Sequence, residues 1–152
     1  MAITPTPSTR RGPSTAARRL GYLGAIAGNA VLLWVAHRLL VWGWPAFLTG
    51  EFAQVLPLVT ASLIVSMVVN AVFVLRDRGR VKALGDLVNA GVGLAVAVRM
   101  WTVFPFDFSG YGTDWAWAVR VALVVGIVAT SIGALVNLIK LVAGGLEPDG
   151  SP

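Results

Sequence analysis

The dominant feature of this 152-residue sequence is a set of four apolar stretches, each long enough to cross a lipid bilayer. They cover residues 20–44, 53–75, 83–104 and 116–143. A bilayer has a hydrocarbon core about 30 Å thick, which a helix rising about 1.5 Å per residue crosses in about 20 residues. With 57% hydrophobic and 12% charged residues, a soluble fold of this size could not bury its apolar surface. We therefore predict an all-α, polytopic membrane protein with four transmembrane helices in an antiparallel bundle.

Polar segments flank this apolar region at both ends of the chain. Residues 1–19 are rich in Pro, Ser, Thr and Arg and offer almost nothing to bury, and residues 144–152 have a similar composition. The sequence therefore predicts one transmembrane domain over residues 20–143. We expect a disordered basic cytoplasmic tail before it and a short disordered tail after it.

The basic residues outside the apolar stretches, together with Lys140 near the end of the fourth, indicate an orientation. They fall in the N-terminal tail, in the segment between the second and third stretches, and near the end of the fourth: Arg10, Arg11, Arg18, Arg19, Arg76, Arg78, Arg80, Lys82 and Lys140. The other two connections, residues 42–52 and 104–115, contain no Lys or Arg. Because Lys and Arg accumulate in short cytoplasmic segments, we expect a multi-pass protein of the plasma membrane with both termini in the cytoplasm. The net charge of +5 then reflects membrane orientation, and nucleic acid is not an expected partner.

Each predicted helix carries one asparagine in its cytoplasmic half. These residues are Asn29, Asn70, Asn89 and Asn137, and the polar positions Ser62, Ser66 and Thr130 lie on the same faces as two of them. Hydrocarbon offers no hydrogen bonds to an amide, so these side chains are expected to turn toward neighbouring helices. We interpret the set as a polar clasp that fixes helix packing. The alternative is a path for a small solute or ion.

Three arginines lie a few residues inside the opposite helix ends, beside three carboxylates in the connections. The arginines are Arg38, Arg99 and Arg120, and the carboxylates are Glu51, Asp107 and Asp114. Long arginine side chains can extend to the interface and meet carboxylates there. The matching numbers favour a structural layer of ion pairs, with an anion-binding site as the alternative.

The remaining chemistry-bearing residues indicate no catalytic centre. The chain has no Cys, and His37 is its one histidine, so cofactors and metals that need several such ligands are not expected. Asp86 near the start of the third stretch is explained by the helix dipole or by pairing with Arg80 or Lys82. A proton-relay role for Asp86 is the alternative.

The two halves of the chain share a few aligned residues. An offset of about sixty residues aligns Asn29 with Asn89 and Pro45 with Pro105; a real duplication would give the bundle pseudo-two-fold symmetry about the membrane normal.

The segments FLTGEFAQVLPLV (residues 47–59) and VFPFDF (residues 103–108), with the four-helix layout, resemble small membrane proteins common in high-GC Gram-positive bacteria. That resemblance spans most of residues 20–143 and implies a topology but no activity.

We accordingly expect a non-catalytic integral membrane protein without cofactors. Its expected partners are the lipid bilayer and either another membrane protein or a second copy, so it would serve as an accessory or assembly subunit or form a homo-oligomer. One alternative is a component of a small-solute or ion transporter that uses the asparagine layer. A further alternative is a membrane-embedded lipid-modifying enzyme that uses Asp107 or Asp114.

Overall fold

The computed structural model describes residues 14–76, 79–112 and 114–143, and these are dominated by four long α-helices. The helices are α1 (Thr15–Trp42), α2 (Leu56–Leu75), α3 (Gly79–Val103) and α4 (Trp115–Ala143), with a 3₁₀ helix over Gly50–Gln54. All four α-helices are long and apolar enough to span a membrane. The predicted all-α class with four membrane-spanning helices is confirmed.

The helices are arranged as an open row, in chain order. Helix α1 packs on α2, α2 packs on α3, and α3 packs on α4, whereas the described residues of α1 and α4 do not touch. Consecutive helices run antiparallel because short connections join them. A row one helix thick has no enclosed core, so most side chains in its four spans face the surroundings. Helices α1 and α4 form its two edges.

Local signals in the sequence set several helix ends. The Ser14 hydroxyl caps α1 by accepting a hydrogen bond from the Ala17 N–H at 3.2 Å. Gly43 ends the same helix with a φ of 60°, a conformation that suits glycine. Pro57 lies in the first turn of α2, where an absent N–H has little cost.

The helix bounds differ from the apolar stretches by up to five residues. Helix α1 begins at Thr15 and not at residue 20, and α3 begins at Gly79 and not at residue 83. Both extensions carry arginine or lysine, which a helix tolerates once it has left the hydrocarbon. Helix α2 begins at Leu56, after the residues that form the 3₁₀ helix. Most of the predicted tail over 1–19, namely residues 1–13, and the whole of 144–152 lie outside the described residues.

The two connections that follow α1 and α3 pair with each other. Leu48 and Phe106 form an antiparallel β-bridge, the Thr49 N–H donates to the Pro105 carbonyl at 3.0 Å, and the Asp107 N–H donates to the Phe47 carbonyl at 2.8 Å. We call this end of the row, with residues 43–55 and 104–112, the paired-loop end. We call the other end, with Ser14, Arg76 and Ala143, the terminal end.

The two fully buried side chains among the described residues lie at the paired-loop end. Val55 and Pro105 are fully buried, and Phe52 in the 3₁₀ helix is 5% exposed. Because the backbone of this region leaves the helices, its N–H and C=O groups need partners within the protein. The bonds between the two connections supply several of them.

The row does not show the symmetry that a duplication would require. A two-fold axis that relates α1 to α3 and α2 to α4 turns the α2–α3 contact into an α4–α1 contact. The described residues make the first contact and not the second.

Candidate functional site

A hydrogen bond between side chains joins α1 to α2 in the terminal half of the row. The Asn29 amide nitrogen donates to the Ser66 hydroxyl at 2.8 Å, and both side chains are half-buried. On α2, the Asn70 amide donates to the Ser66 carbonyl at 2.7 Å. The structure therefore brings together three of the seven residues of the expected clasp.

The other four residues of that set lie apart from this contact. The Ser62 hydroxyl donates to the Val59 carbonyl within its own helix at 2.8 Å. The Asn89 Oδ1 atom on α3 is buried and has no hydrogen-bond partner among the described residues. Thr130 and Asn137 are half-buried on α4, whose one helix neighbour in the described part of the chain is α3. The geometry thus shows a clasp between α1 and α2, without a polar layer through all four helices.

Two of the three arginines near the paired-loop end lie over aromatic rings and not beside carboxylates. The Arg120 guanidinium lies 4.1 Å from the centroid of Phe104 and 5.3 Å from that of Trp101, and Arg38 lies 5.8 Å from the Trp34 ring. A cation is attracted to the face of an aromatic ring, most strongly where water is excluded. In place of the expected ion pairs, the structure shows these cation–π contacts. These rings lie close to the arginines in the fold. Trp34 is one turn before Arg38 on α1, and Trp101 and Phe104 lie near the end of α3, which packs on the helix that carries Arg120.

The carboxylates of the expected ion-pair layer bind backbone N–H groups. The Ser109 N–H donates to Asp107 Oδ1 at 2.9 Å, and this bond, with a second from the Ser109 side chain, lowers the pKa of the exposed Asp107 carboxyl. Asp114 Oδ1 accepts the Trp117 N–H at 3.4 Å and so caps α4. Glu51 lies exposed in the first turn of the 3₁₀ helix. None of the three forms an ion pair with an arginine in the described part of the chain.

An aromatic cluster covers the paired connections. Phe47 and Phe108 stack with ring centroids 5.3 Å apart, and Phe106 lies 6.1 Å from Phe108. Phe104 and Tyr111 extend the cluster at 5.5 Å and 6.2 Å from their nearest rings. Most of the aromatic residues in the sequence lie in or beside these two connections. The alternating phenylalanines of FPFDF (residues 104–108) indicate that three rings can share one face of an extended segment, but not that Phe47 packs on them.

A second close contact lies at the terminal end, where Phe73 of α2 meets Gly85 of α3. Phe73 is 3% exposed and packs on Tyr22 of α1 with ring centroids 5.4 Å apart. A Cβ atom built on Gly85 would lie 2.5 Å from the Phe73 ring. The Lys82 ammonium lies 5.3 Å from the same ring and pairs with Asp86 at 3.1 Å. Asp86 is therefore the acceptor of an exposed ion pair within one helix, as one of the sequence-based interpretations expected.

The described residues contain no group of three or more His, Cys, Asp or Glu side chains that could hold a metal ion.

No family model matches the chain, and no curated protein or solved structure gives a significant match. The class of protein is therefore defined by the arrangement of its helices alone. Four apolar spanning helices with short connections are those of a multi-pass membrane protein.

Proposed function

We propose that this chain is a non-catalytic membrane subunit that acts by packing one edge of its helix row against another membrane protein or a second copy of itself. The open row is the observation that carries the proposal. A chain that worked alone would leave α1 and α4 with lipid on nearly every side. A neighbouring subunit would cover one of these edges.

The face of α1 supports a protein neighbour. Gly21, Gly24 and Gly28 are exposed, and a Cβ atom on any of them would meet nothing within 4 Å. Gly24 and Gly28 form a GxxxG pair, which lets two helix backbones approach closely in lipid. Among the described residues no helix packs on that face, so its partner would come from outside.

Placement in the plasma membrane with both termini in the cytoplasm is part of the same proposal. The described basic residues at the terminal end, Arg18, Arg19, Arg76, Arg80, Lys82 and Lys140, support it. The paired-loop end has no Lys or Arg in its connections. This asymmetry is typical of a cytoplasmic terminal end.

The test is purification of the full chain in mild detergent, with the protein mass measured by light scattering and attached proteins identified by mass spectrometry. We expect a stable species larger than the 16.0 kDa monomer, either a homo-oligomer or a stoichiometric complex. The double substitution Gly24→Leu and Gly28→Leu should reduce the bound fraction at least tenfold, because leucines hold the backbones apart.

Gly93→Leu is the matched control for this experiment. Gly93 is also exposed in a spanning helix with open space at its Cβ, but it lies on α3, away from the α1 edge. The Gly93→Leu variant should leave the complex intact. Recovery of the wild-type chain as a lone monomer would contradict the proposal, as would equal losses in the two variants.

A further inference from the structure

A groove of about 560 Å³ opens between α2 and α3 on one side of the row, in the half nearer the paired-loop end. Its lining is apolar except at one end and consists of Leu58, Gly91, Leu94, Ala95, Val98, Arg99 and Thr102. The groove exists because α3 presents small residues there. Gly91 and Ala95 are both exposed, and a Cβ atom at Gly91 would meet nothing within 4 Å.

The length of the groove matches one leaflet of a bilayer. From Gly91 to Thr102 is eleven helical steps, which is about 16 Å along the axis. Half of a hydrocarbon core is about 15 Å. Gly91 is the middle residue of α3, so in a bilayer spanned by this helix the groove would extend from near the midplane to the headgroup level and would be open to lipid.

A positive charge lies at the headgroup end of this apolar groove. The Arg99 side chain is exposed, and within the described residues its guanidinium has no hydrogen bond, ion pair or aromatic ring. Arg38 and Arg120, in contrast, lie over rings. Asp107 and Asp114 already accept backbone N–H groups. Arg99 is thus a cation without a counter-charge from the described part of the chain.

We propose that this groove binds one anionic phospholipid from the leaflet at the paired-loop end. One acyl chain lies along Gly91, Ala95 and Val98, and the lipid phosphate meets the Arg99 guanidinium. Arginine binds phosphate through two parallel N–H donors, and a headgroup without a cation of its own leaves that phosphate with a net negative charge that balances Arg99. The proposal is independent of the subunit role, because it uses the α2–α3 groove and not the α1 edge.

The experiment is native mass spectrometry of the full chain from micelles that contain equal amounts of phosphatidylglycerol and phosphatidylcholine. We expect one retained lipid per chain, with a clear preference for phosphatidylglycerol. Arg99→Gln should reduce that preference about fivefold, the usual effect of one basic residue near a charged lipid surface. Arg38→Gln is the matched control and should retain the preference, since that guanidinium lies over Trp34.

A second pair of variants tests the groove itself. Ala95→Leu fills it and should abolish the retained lipid of either headgroup. Gly93→Leu adds similar bulk to the same helix two residues away, about 160° around the axis, and should leave the lipid bound. Circular dichroism of each variant confirms that the helices are intact.

Three results would overturn the proposal. They are equal retention of the two lipids by the wild-type chain, equal effects of Arg99→Gln and Arg38→Gln, and lipid retention in Ala95→Leu. A change of oligomeric mass in Ala95→Leu with lipid binding unaltered would assign the groove to a helix of a second copy and would also reject it.

Discussion

At the scale of single residues, Gly85 sets how closely α2 and α3 approach. A methyl group there would lie 2.5 Å and 2.6 Å from two atoms of the Phe73 ring and 2.7 Å from Val69 Cγ1. The ring has little room to move, because it is almost fully buried and contacts Tyr22. The two helices must therefore separate if any side chain is added.

We predict that Gly85→Ala lowers the free energy of unfolding by about 1–3 kcal/mol, the usual cost of inserting a methyl group into a filled site. Thermal unfolding of the purified chain in detergent measures the change. Gly93→Ala is the control and should cause no loss, since its Cβ atom would meet open space. If the two alanine variants unfold at the same temperature, the Phe73–Gly85 contact does not limit the approach of α2 and α3.

Polarity in the sequence predicted one contact of the candidate site, whereas the positions of the arginines were not predictable. The polarity of Asn29 and Ser66 predicted that they would bond between helices, and they do so at 2.8 Å. The arginines were expected beside the carboxylates because the sequence has three of each in this region, but equal numbers do not show which side chains lie close together. Arg120 lies over Phe104 because α3 and α4 pack together, a tertiary fact that no spacing in the sequence records. Interhelical bonds such as Asn29–Ser66 contribute only about 0.6 kcal/mol each, so polarity alone could not determine the packing.

At the scale of elements, the paired connections join the two helical hairpins. Phe47, from the connection after α1, contacts three rings from the connection after α3, namely Phe106, Phe108 and Tyr111, with centroid distances of 5.3–6.3 Å. Backbone bonds on both sides of Phe106 hold the same region together. These contacts are remote in sequence, so no local pattern predicted them.

We predict that Phe47→Ala lowers the free energy of unfolding by about 2 kcal/mol, since it removes three ring contacts from a half-buried position. Chemical unfolding in detergent, followed by circular dichroism, measures this loss. Trp117→Ala removes a larger ring from the same end of the molecule, where Trp117 is 67% exposed and contacts no ring among the described residues. A loss in Trp117→Ala as large as that in Phe47→Ala would mean that the rings act only through their affinity for the interface.

The sequence predicted the presence of each of the four helices correctly, but it predicted the first and last residues of the helices less accurately. Apolar runs report which residues can lie in hydrocarbon, whereas a helix continues into water until a capping or breaking signal appears. Ser14 and Gly43 are such signals for α1, and they lie outside or at the edge of the apolar run. On α3, the Lys82–Asp86 pair links the helical extension before residue 83 to the first turn of the apolar run.

At the scale of the whole molecule, the orientation of the row is open to a direct test. Because the chain has no Cys, single-cysteine variants can be labelled without background. Ala16 and Gly110 are exposed at the terminal and paired-loop ends. We predict that an impermeant maleimide applied to intact cells labels Gly110→Cys and reaches Ala16→Cys only after permeabilisation. The opposite pattern would contradict the assignment of the basic terminal end to the cytoplasm.

The row also has a consequence for the order in which the molecule is built. Every contact between α-helices in the described chain is made with the preceding or the following α-helix, so each α-helix can dock as soon as it leaves the ribosome. One step must wait, because the strand-like bridge between Leu48 and Phe106 forms only after α3 and the first residues of the connection that follows it have been made. Synthesis from the N-terminus would thus add one α-helix at a time to the edge of the row. The two connections would pair once α3 is in place.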